Sequence, residues 1–494
     1  MASIPDTPST ALQYAVRPRV VARYLGKLAV LLAALMSVPV AVAMFDADWA
    51  VAGRYLVVFV PLLCAGWLMA RIPEPAAFQA NEALVITALA FALGALALTY
   101  PLMAAGLGFG DALFEAISAI TTTGLSVAGG VEHRPASFLF ARAWIQWCGG
   151  LGIVVLGVAL IFGYAAAARA MTESPVTHEN LETSTRQLAR RSFLAYGVLT
   201  LAGVAALWLA GLAPRDALAH ALAAVSTGGF STHDASLAAV PGWLAQATVS
   251  LLALSCAIAL PLYYGAFRRG WRGWRALATN LEMRALLVSV AVVGILLALV
   301  LRRHDGDWSA AMIGQAAFMA TSAQTTSGFS VLPVAGLDPV AKAALMLSMV
   351  VGGSVGSTAG GIKLLRLLLL LRLGSLVLRR TAMPSHAVAD VRLAGRVIEP
   401  DELARALFFI LLFLGAVVAS WLPFLWFGHD PLDSAFEVIS ALGTVGLSTG
   451  IAGPDLHPLL KGVLCADMLL GRLEIVAVLV LFAPRTWFGR RMQA

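Results

Sequence analysis

Four short segments repeat one order of residue types that suits a partly dehydrated cation: Thr122-Thr123-Gly124-Leu125-Ser126, Thr227-Gly228-Gly229-Phe230-Ser231, Thr326-Ser327-Gly328-Phe329-Ser330 and Thr444-Val445-Gly446-Leu447-Ser448. At membrane depth a cation needs oxygen ligands without a strong counter-charge, and converging backbone carbonyls supply them. Glycine lets each loop turn its carbonyls toward a common axis in a conformation that a Cβ penalises. The flanking hydroxyls add oxygens or anchor the loop. One such segment is ordinary loop chemistry; four, with glycines about 100 to 120 residues apart, are a repeat. The expectation is one cation site on a pseudo-fourfold axis near the outer face. A single glycine per loop implies few stacked carbonyl rings and loose selectivity.

The residues upstream of each segment indicate what positions it. Thirteen residues before the glycine stand Asp111, Asp216, Gln315 and Asp433, and ten before it stand Phe114, Ala219, Phe318 and Phe436. An acidic residue suits the positive end of a helix dipole, so each segment is expected to follow a helix of about three turns, too short to cross a bilayer. Such a helix enters and stops, its negative end aimed at the cation. The rest of the 494 residues supplies the crossings: 60% are hydrophobic and 12% charged, and nine stretches without Asp, Glu, Lys or Arg are each roughly a bilayer span long. A soluble domain is excluded. The expected fold is an all-α polytopic membrane protein: a cytoplasmic segment at 1–24, two extra N-terminal spans at 25–80, and four pseudo-repeats of span, pore half-helix, filter loop and span at 81–170, 185–277, 278–380 and 400–486, around one pore.

The net charge of +7 is gathered in particular loops. Arg17, Arg19, Arg23 and Lys27 precede the first span, and the segments that alternation puts on the same side hold Arg71, then Arg169, Arg186, Arg190 and Arg191, then Arg268, Arg269, Arg272 and Arg275, then Lys363 to Arg396, then Arg485, Arg490 and Arg491. The positive-inside rule makes that side cytoplasmic, with both termini inside, and accounts for the basic residues with a lipid bilayer and no nucleic acid as partner. The polar N-terminus has no apolar region before a small-residue cleavage site, so no cleaved signal peptide is expected. Cys64, Cys148, Cys256 and Cys465 lie in apolar segments and read as small hydrophobes.

Two further features carry polar chemistry inside apolar surroundings. The run Gly352-Gly353-Ser354-Val355-Gly356-Ser357-Thr358-Ala359-Gly360-Gly361-Ile362-Lys363 interrupts a span, where freed backbone groups are tolerated only if they line a cavity or are buried in protein. A phosphate-binding loop fails on depth and because Ile362 separates Gly361 from Lys363. A packing bend and a flexible intramembrane loop both remain open. The last span bears Asp467, Arg472 and Glu474, and such residues face a water-filled cavity or a partner. Asp467 and Glu474 share a helix face and Arg472 points elsewhere, with a structural ion pair as the alternative; Asp467 has no account.

The four segments, the run Gln146-Trp147-Cys148-Gly149-Gly150-Leu151-Gly152, the glycine run and Gly471-Arg472-Leu473-Glu474 together resemble the Trk/Ktr/HKT superfamily of potassium transporters over about residues 20–485. The two extra N-terminal spans and the Gly-Arg-Leu-Glu ending are more similar to the bacterial TrkH branch than to the shorter KtrB branch. The resemblance implies that a potassium ion, and Rb+ with it, crosses the bacterial inner membrane. Its site would be formed by Thr122, Thr123, Gly124, Thr227, Gly228, Gly229, Thr326, Ser327, Gly328, Thr444, Val445 and Gly446. It implies a gate at 352–361, with Gly352, Gly353, Gly356, Ser357, Thr358, Gly360, Gly361 and Lys363, and a pore-facing charge at Arg472. It also implies a homodimer in which each subunit has its own pore, controlled by a cytosolic TrkA-like nucleotide-binding subunit. Gly228 before Gly229 and Gln315 in place of an Asp are departures, and neither removes a carbonyl.

The competing class is an alternating-access symporter that couples K+ to H+ or Na+. The repeats all share one orientation, whereas many such carriers use inverted halves. No His-Glu-x-x-His or clustered Asp motif is present and the eight histidines are dispersed, so the chain does not read as an enzyme.

Overall fold

The computed structural model describes residues 15–73, 79–170, 178–240, 242–305, 307–382, 392–393 and 396–488. In chain order the helices are α1 (Pro18–Phe45), α2 (Trp49–Ala70), α3 (Ala80–Leu102), α4 (Phe109–Ile120), α5 (Ala136–Ala170), α6 (His178–Leu209), α7 (Pro214–Val225), α8 (Trp243–Cys256), α9 (Pro261–Arg268), α10 (Trp271–Ala278), α11 (Leu281–Asp305), α12 (Ala310–Gln324), α13 (Pro339–Val351), α14 (Leu364–Arg380), α15 (Pro400–Trp426), α16 (Pro431–Leu442), α17 (Pro458–Arg472), α18 (Val476–Phe482) and α19 (Pro484–Trp487). Among the described residues the only strand pairing joins Arg392–Leu393 to Arg396–Val397. The fold is all-α and polytopic. Among the described residues six helices are long and apolar enough to cross a membrane, or seven crossings if α8 and α9, bent by 96° at their break, count as one.

Of the expected cytoplasmic segment, residues 1–14 lie outside the described residues, and α1 starts at Pro18, inside that segment. Apolar stretches that read as single spans are cut at 257–260 and 352–363. The last span also departs from expectation: α17 ends at Arg472, and Glu474 and Ile475 take φ of 58° and 52°. These left-handed values cannot continue a right-handed helix, so Glu474 does not share a helix face with Asp467.

The chain divides into two compact units. Met1–Phe109 with Leu473–Ala494 form one of them, in which α1 and α2 approach through small residues: a Cβ on Gly26 would lie 2.6 Å from Met69 Cβ, and one on Gly66 3.0 Å from Ala29 Cβ. Close helix contact of this kind is the usual packing solution in lipid. Glu82, fully buried at the start of α3, accepts from Arg17 Nε (2.8 Å) and Nη2 (2.9 Å) and from the Gln79 N–H (3.0 Å). Gly110–Arg472 form the second unit, which holds all four of the short helices that precede the Thr-x-Gly segments apart from the first residue of α4. These helices, α4, α7, α12 and α16, have 12, 12, 15 and 12 residues, or about 18–23 Å against a hydrocarbon core of about 30 Å. Pro214 and Pro431 open two of them; Ser309 Oγ and Asp430 Oδ1 accept first-turn N–H groups in α12 and α16.

The Arg17–Glu82 pair generates a stability prediction. Glu82→Ala removes the buried carboxylate that accepts from Arg17 and should cost about 3 kcal/mol, the low end for breaking a buried pair. A lower Tm in detergent, followed by intrinsic fluorescence, is the expected result, with recovery in the paired Arg17→Met, Glu82→Leu variant. An unchanged Tm in the single variant would show that the pair does not fasten this unit.

Candidate functional site

Each short helix ends in the same turn. In α4 the Thr122 N–H reaches Ala119 O (3.0 Å) and the Thr123 N–H reaches Ser118 O (2.9 Å); the equivalent pairs are Thr227 to Ala224 and Gly228 to Ala223, Thr326 to Ala323 and Ser327 to Ser322, Thr444 to Ala441 and Val445 to Ser440. These are Schellman C-caps, in which the residue after the cap adopts the left-handed conformation and is usually Gly. Here it is Thr four times, with φ of 54°, 52°, 54° and 50°. A β-branched residue in this region is strained by roughly 1–3 kcal/mol. The glycine two residues later is also left-handed, at 87°, 79°, 71° and 98° for Gly124, Gly229, Gly328 and Gly446.

The four turns meet head to tail. A Cβ on Gly124 would run into Gly228 O, one on Gly229 into Ser327 O, one on Gly328 into Val445 O, and one on Gly446 into Thr123 O. The contacts run from first to second, third, fourth and back to first, so the ring is closed. All twelve residues singled out in the four segments are therefore gathered in one place, with Thr122, Thr227, Thr326 and Thr444 buried. The oxygens are neutral. The buried hydroxyls of Thr122 and Thr444 have no hydrogen-bond partner, whereas Thr227 Oγ1 donates to Ser226 O (2.7 Å) and Thr326 Oγ1 accepts from the Gly360 N–H (2.7 Å). Gly228 O accepts from Gln146 Nε2 (2.5 Å), which leaves one of its two lone pairs.

Side chains that the sequence reading passed over hold the ring from behind. Nine residues before the glycines stand Glu115, His220, Met319 and Glu437. Glu115 Oε1 accepts from Ser126 Oγ (2.7 Å) and from the Val127 and Ala128 N–H groups; Glu437 Oε1 accepts from Ser448 Oγ (2.5 Å) and the Thr449 N–H (2.8 Å). In the second turn His220 replaces the carboxylate: Nδ1 faces Asp216 O (2.8 Å) and so carries the proton, leaving Nε2 to accept from Ser231 Oγ (3.0 Å). Arg142 pairs with Glu115 (3.1 Å) and lies 3.7 Å from the Phe230 ring centroid. The signal was available as a further repeated column, but its residue types differ from copy to copy. The Gly149 and Gly471 positions also gain a reason, because a Cβ there would strike Ile120 O and Leu442 O, at the ends of α4 and α16.

The 352–361 loop, between α13 and α14, lies against this assembly. The Gly360 N–H uses Thr326, the Gly361 N–H reaches Gly443 O (3.1 Å), Thr358 Oγ1 faces Val225 O (3.3 Å), and the Ser354 N–H reaches Ala257 O (2.9 Å). Lys363, φ 79°, turns its ammonium back to Ala359 O. These partners lie at the end of α7 and in the turns that follow α12 and α16. Arg472 is buried and donates from Nη1 to Thr358 O (2.8 Å), while its Nε and Nη2 have no partner. The ion-pair alternative for Arg472 is therefore not realised: Asp467 instead accepts from Ser420 Oγ (2.6 Å).

Comparison with known proteins agrees with this geometry. The TrkH family, described as cation transport proteins, matches residues 65–488. Over 483 residues the chain is 30% identical to the Trk system potassium uptake protein TrkH of Escherichia coli strain K12, covering 95% of this chain and 99% of that one. Over 495 residues it is 31% identical to the same-named protein of Vibrio parahaemolyticus, with the same coverage. The crystal structure of the potassium transporter TrkH from Vibrio parahaemolyticus superposes with a TM-score of 0.85 at 29% identity, covering 96% of this chain and 100% of that one. The extent of these matches places the chain among membrane transporters rather than enzymes, and it belongs to the TrkH family of cation transport proteins.

Proposed function

We propose that the chain is the pore-forming subunit of a potassium uptake system, conducting K+ and Rb+ across a bacterial inner membrane through the ring of four Thr-x-Gly turns. The closed ring carries the reading. Four backbones that meet through Gly-to-carbonyl contacts leave their remaining oxygens, with the free Thr122 and Thr444 hydroxyls, as neutral ligands, the chemistry a dehydrating monovalent cation needs. The C-terminal ends of α4, α7, α12 and α16 add their negative dipole ends. The named relatives are potassium transporters, and this supports K+ as the substrate. Both termini are taken as cytoplasmic, and the functional unit as a homodimer with one pore per chain.

In this reading the 352–361 loop is the gate. A gate needs two conformations close in energy, and glycines at 352, 353, 356, 360 and 361 supply the backbone freedom. The lever is α14, which continues from Lys363 through Arg366, Arg372, Arg379 and Arg380. A cytosolic nucleotide-binding subunit that held this basic end would shift the gate only if its nucleotide states bound the two conformations with different free energies. Arg472 sits at the loop as a fixed positive charge against which a permeating cation is repelled.

The reading is tested by rescue of a potassium-uptake-deficient bacterium at low K+, with Rb+ flux in parallel; no rescue and no flux from well-expressed protein, with its partner present, would remove it. Substituting Ala for any of Gly124, Gly229, Gly328 or Gly446 should cut Rb+-over-Na+ discrimination by about 5- to 100-fold, the equivalent of about 1–3 kcal/mol of lost ring geometry; unchanged discrimination in all four variants rules the ring out as the selective element. Arg472→Ala should raise flux at least several-fold, because the repulsion at about 6 Å and an effective dielectric near 20 is roughly 3 kcal/mol. A folded variant with equal or lower flux makes Arg472 structural. Deleting residues 355–359 should leave flux high and insensitive to nucleotide, and a deletion variant that still closes places the gate elsewhere.

A further inference from the structure

The 352–361 loop has a neck and a tip, and they are held differently. At the neck the incoming and outgoing strands bond to each other: the Ile362 N–H to Val350 O (2.9 Å), the Lys363 N–H to Val351 O (3.1 Å) and the Leu364 N–H to Gly353 O (3.0 Å). This is the closed base of an Ω-loop. The tip reaches outward to the Thr326 hydroxyl in the third turn, to Val225 O and Gly443 O at the ends of α7 and α16, to Cys256 O and Ala257 O at the α8–α9 break, to Glu282 through the Val355 N–H, and to the Arg472 guanidinium.

One side chain fastens the neck. Gln324, the last residue of α12 and fully buried, donates from Nε2 to Gly352 O (2.6 Å), the first residue of the loop. Its Oε1 is fixed by two further donors, Ser289 Oγ on α11 (2.6 Å) and Ser348 Oγ on α13 (2.7 Å). Gly352 O can only accept, so the NH2 faces the loop, and the two serine hydroxyls hold the other end of the amide by donating to Oε1. At Gly352, φ is 67° and ψ −156°, and a Cβ would strike Gly360 O; the position is open to glycine alone. Loss of the amide would remove at once the partner of the buried Gly352 O and Ser348 Oγ and of the half-buried Ser289 Oγ.

We infer that Gln324 pins the neck to the end of the third pore helix, so that the gate opens as a flap of its tip, residues 354–361, about a neck that stays in register with the third Thr-x-Gly turn. Gln324 is a positioning residue: it stands two residues before Thr326 and acts on conduction through Gly352. The inference rests on the loop being the gate. It further requires that loosening the neck weakens closure without altering the selective ring.

The test is 86Rb+ uptake by the purified full-length chain in proteoliposomes, with Rb+-over-Na+ discrimination measured on the same preparations. The 355–359 deletion serves as the open reference. Gln324→Met, which keeps length and removes both polar ends, should raise the uptake of the closed chain about tenfold or more toward the deletion level while leaving discrimination within twofold. Ser289→Ala combined with Ser348→Ala leaves Gln324 and the ring untouched and frees the amide to rotate; it should raise uptake by about three- to tenfold. Uptake at the wild-type level in Gln324→Met, or lost discrimination without a rise in uptake, overturns the pin while a leaking deletion keeps the gate. A deletion variant that does not leak overturns the gate reading instead. If Gln324→Met does not fold, the double serine variant decides alone: a rise supports the pin, and no rise overturns it.

Discussion

Where the four turns meet, the carbonyl oxygen of Thr123, Gly228, Ser327 or Val445 lies so close to the glycine of the preceding turn that no Cβ fits between them. The contact is backbone to backbone, so no side chain at the ring can absorb an error in helix placement. Each short helix must therefore deliver its C-terminus accurately, and the strain of a left-handed Thr at each cap persists only because the surroundings over-determine it. The Glu115, His220 and Glu437 side chains, with Ser118 and Ser322 donating to Leu125 O and Phe329 O at 2.6 Å, are that over-determination. Glu115 and Glu437 take up N–H groups of the chain beyond the first and fourth glycines, His220 holds the Ser231 hydroxyl beyond the second, and the two serines hold the carbonyls next to the first and third.

A single polypeptide need not solve the same problem four times in the same way. Lys342, on α13, pairs with Asp433 at the start of α16, and Lys461, on α17, pairs with Asp111 at the start of α4, both at 2.6 Å. Each Lys thus ties one turn's outgoing helix to the next turn's incoming one, on both sides of the fourth turn. The second turn is served differently. Gln146 of α5 bridges Gly228 O and the Phe230 N–H, and Gly228 itself is required because a Cβ would meet the Gln146 carboxamide 2.5 Å away. The extra glycine that looked like drift in the motif is thus the seat of a side chain from the preceding repeat.

Much of this was legible in the sequence because it depends on periodicity and on glycine. The all-α membrane fold follows from charge-free stretches, and the four turns from a motif whose spacing fixed their equivalence. The left-handed Thr was not legible, since Thr is an unfavourable choice for a Schellman cap and only the assembled ring compels it. Gln324 and Glu437 were hidden for another reason: a buried polar residue is marked by its partners, and those of Gln324 lie on α11, α13 and the loop. The broken last helix was missed because Leu473-Glu474-Ile475 carries no Pro or Gly to announce the stop. Asp467, placed by helix periodicity on one face with Glu474 and otherwise without an account, has its partner on another helix, Ser420 of α15.

The placement of Arg472 makes closure and charge one problem. A buried guanidinium with only one hydrogen bond is costly, and that bond comes from the loop, through Thr358 O. In the proposed gating, the tip in place supplies the guanidinium's one protein acceptor, and opening would remove it. On that proposal Arg472 would favour the closed loop by gaining a ligand and disfavour an occupying cation by repulsion, both effects acting in the same direction. A neutral residue there would remove the barrier and the latch together, whereas a change at the neck would loosen the latch and leave the barrier standing.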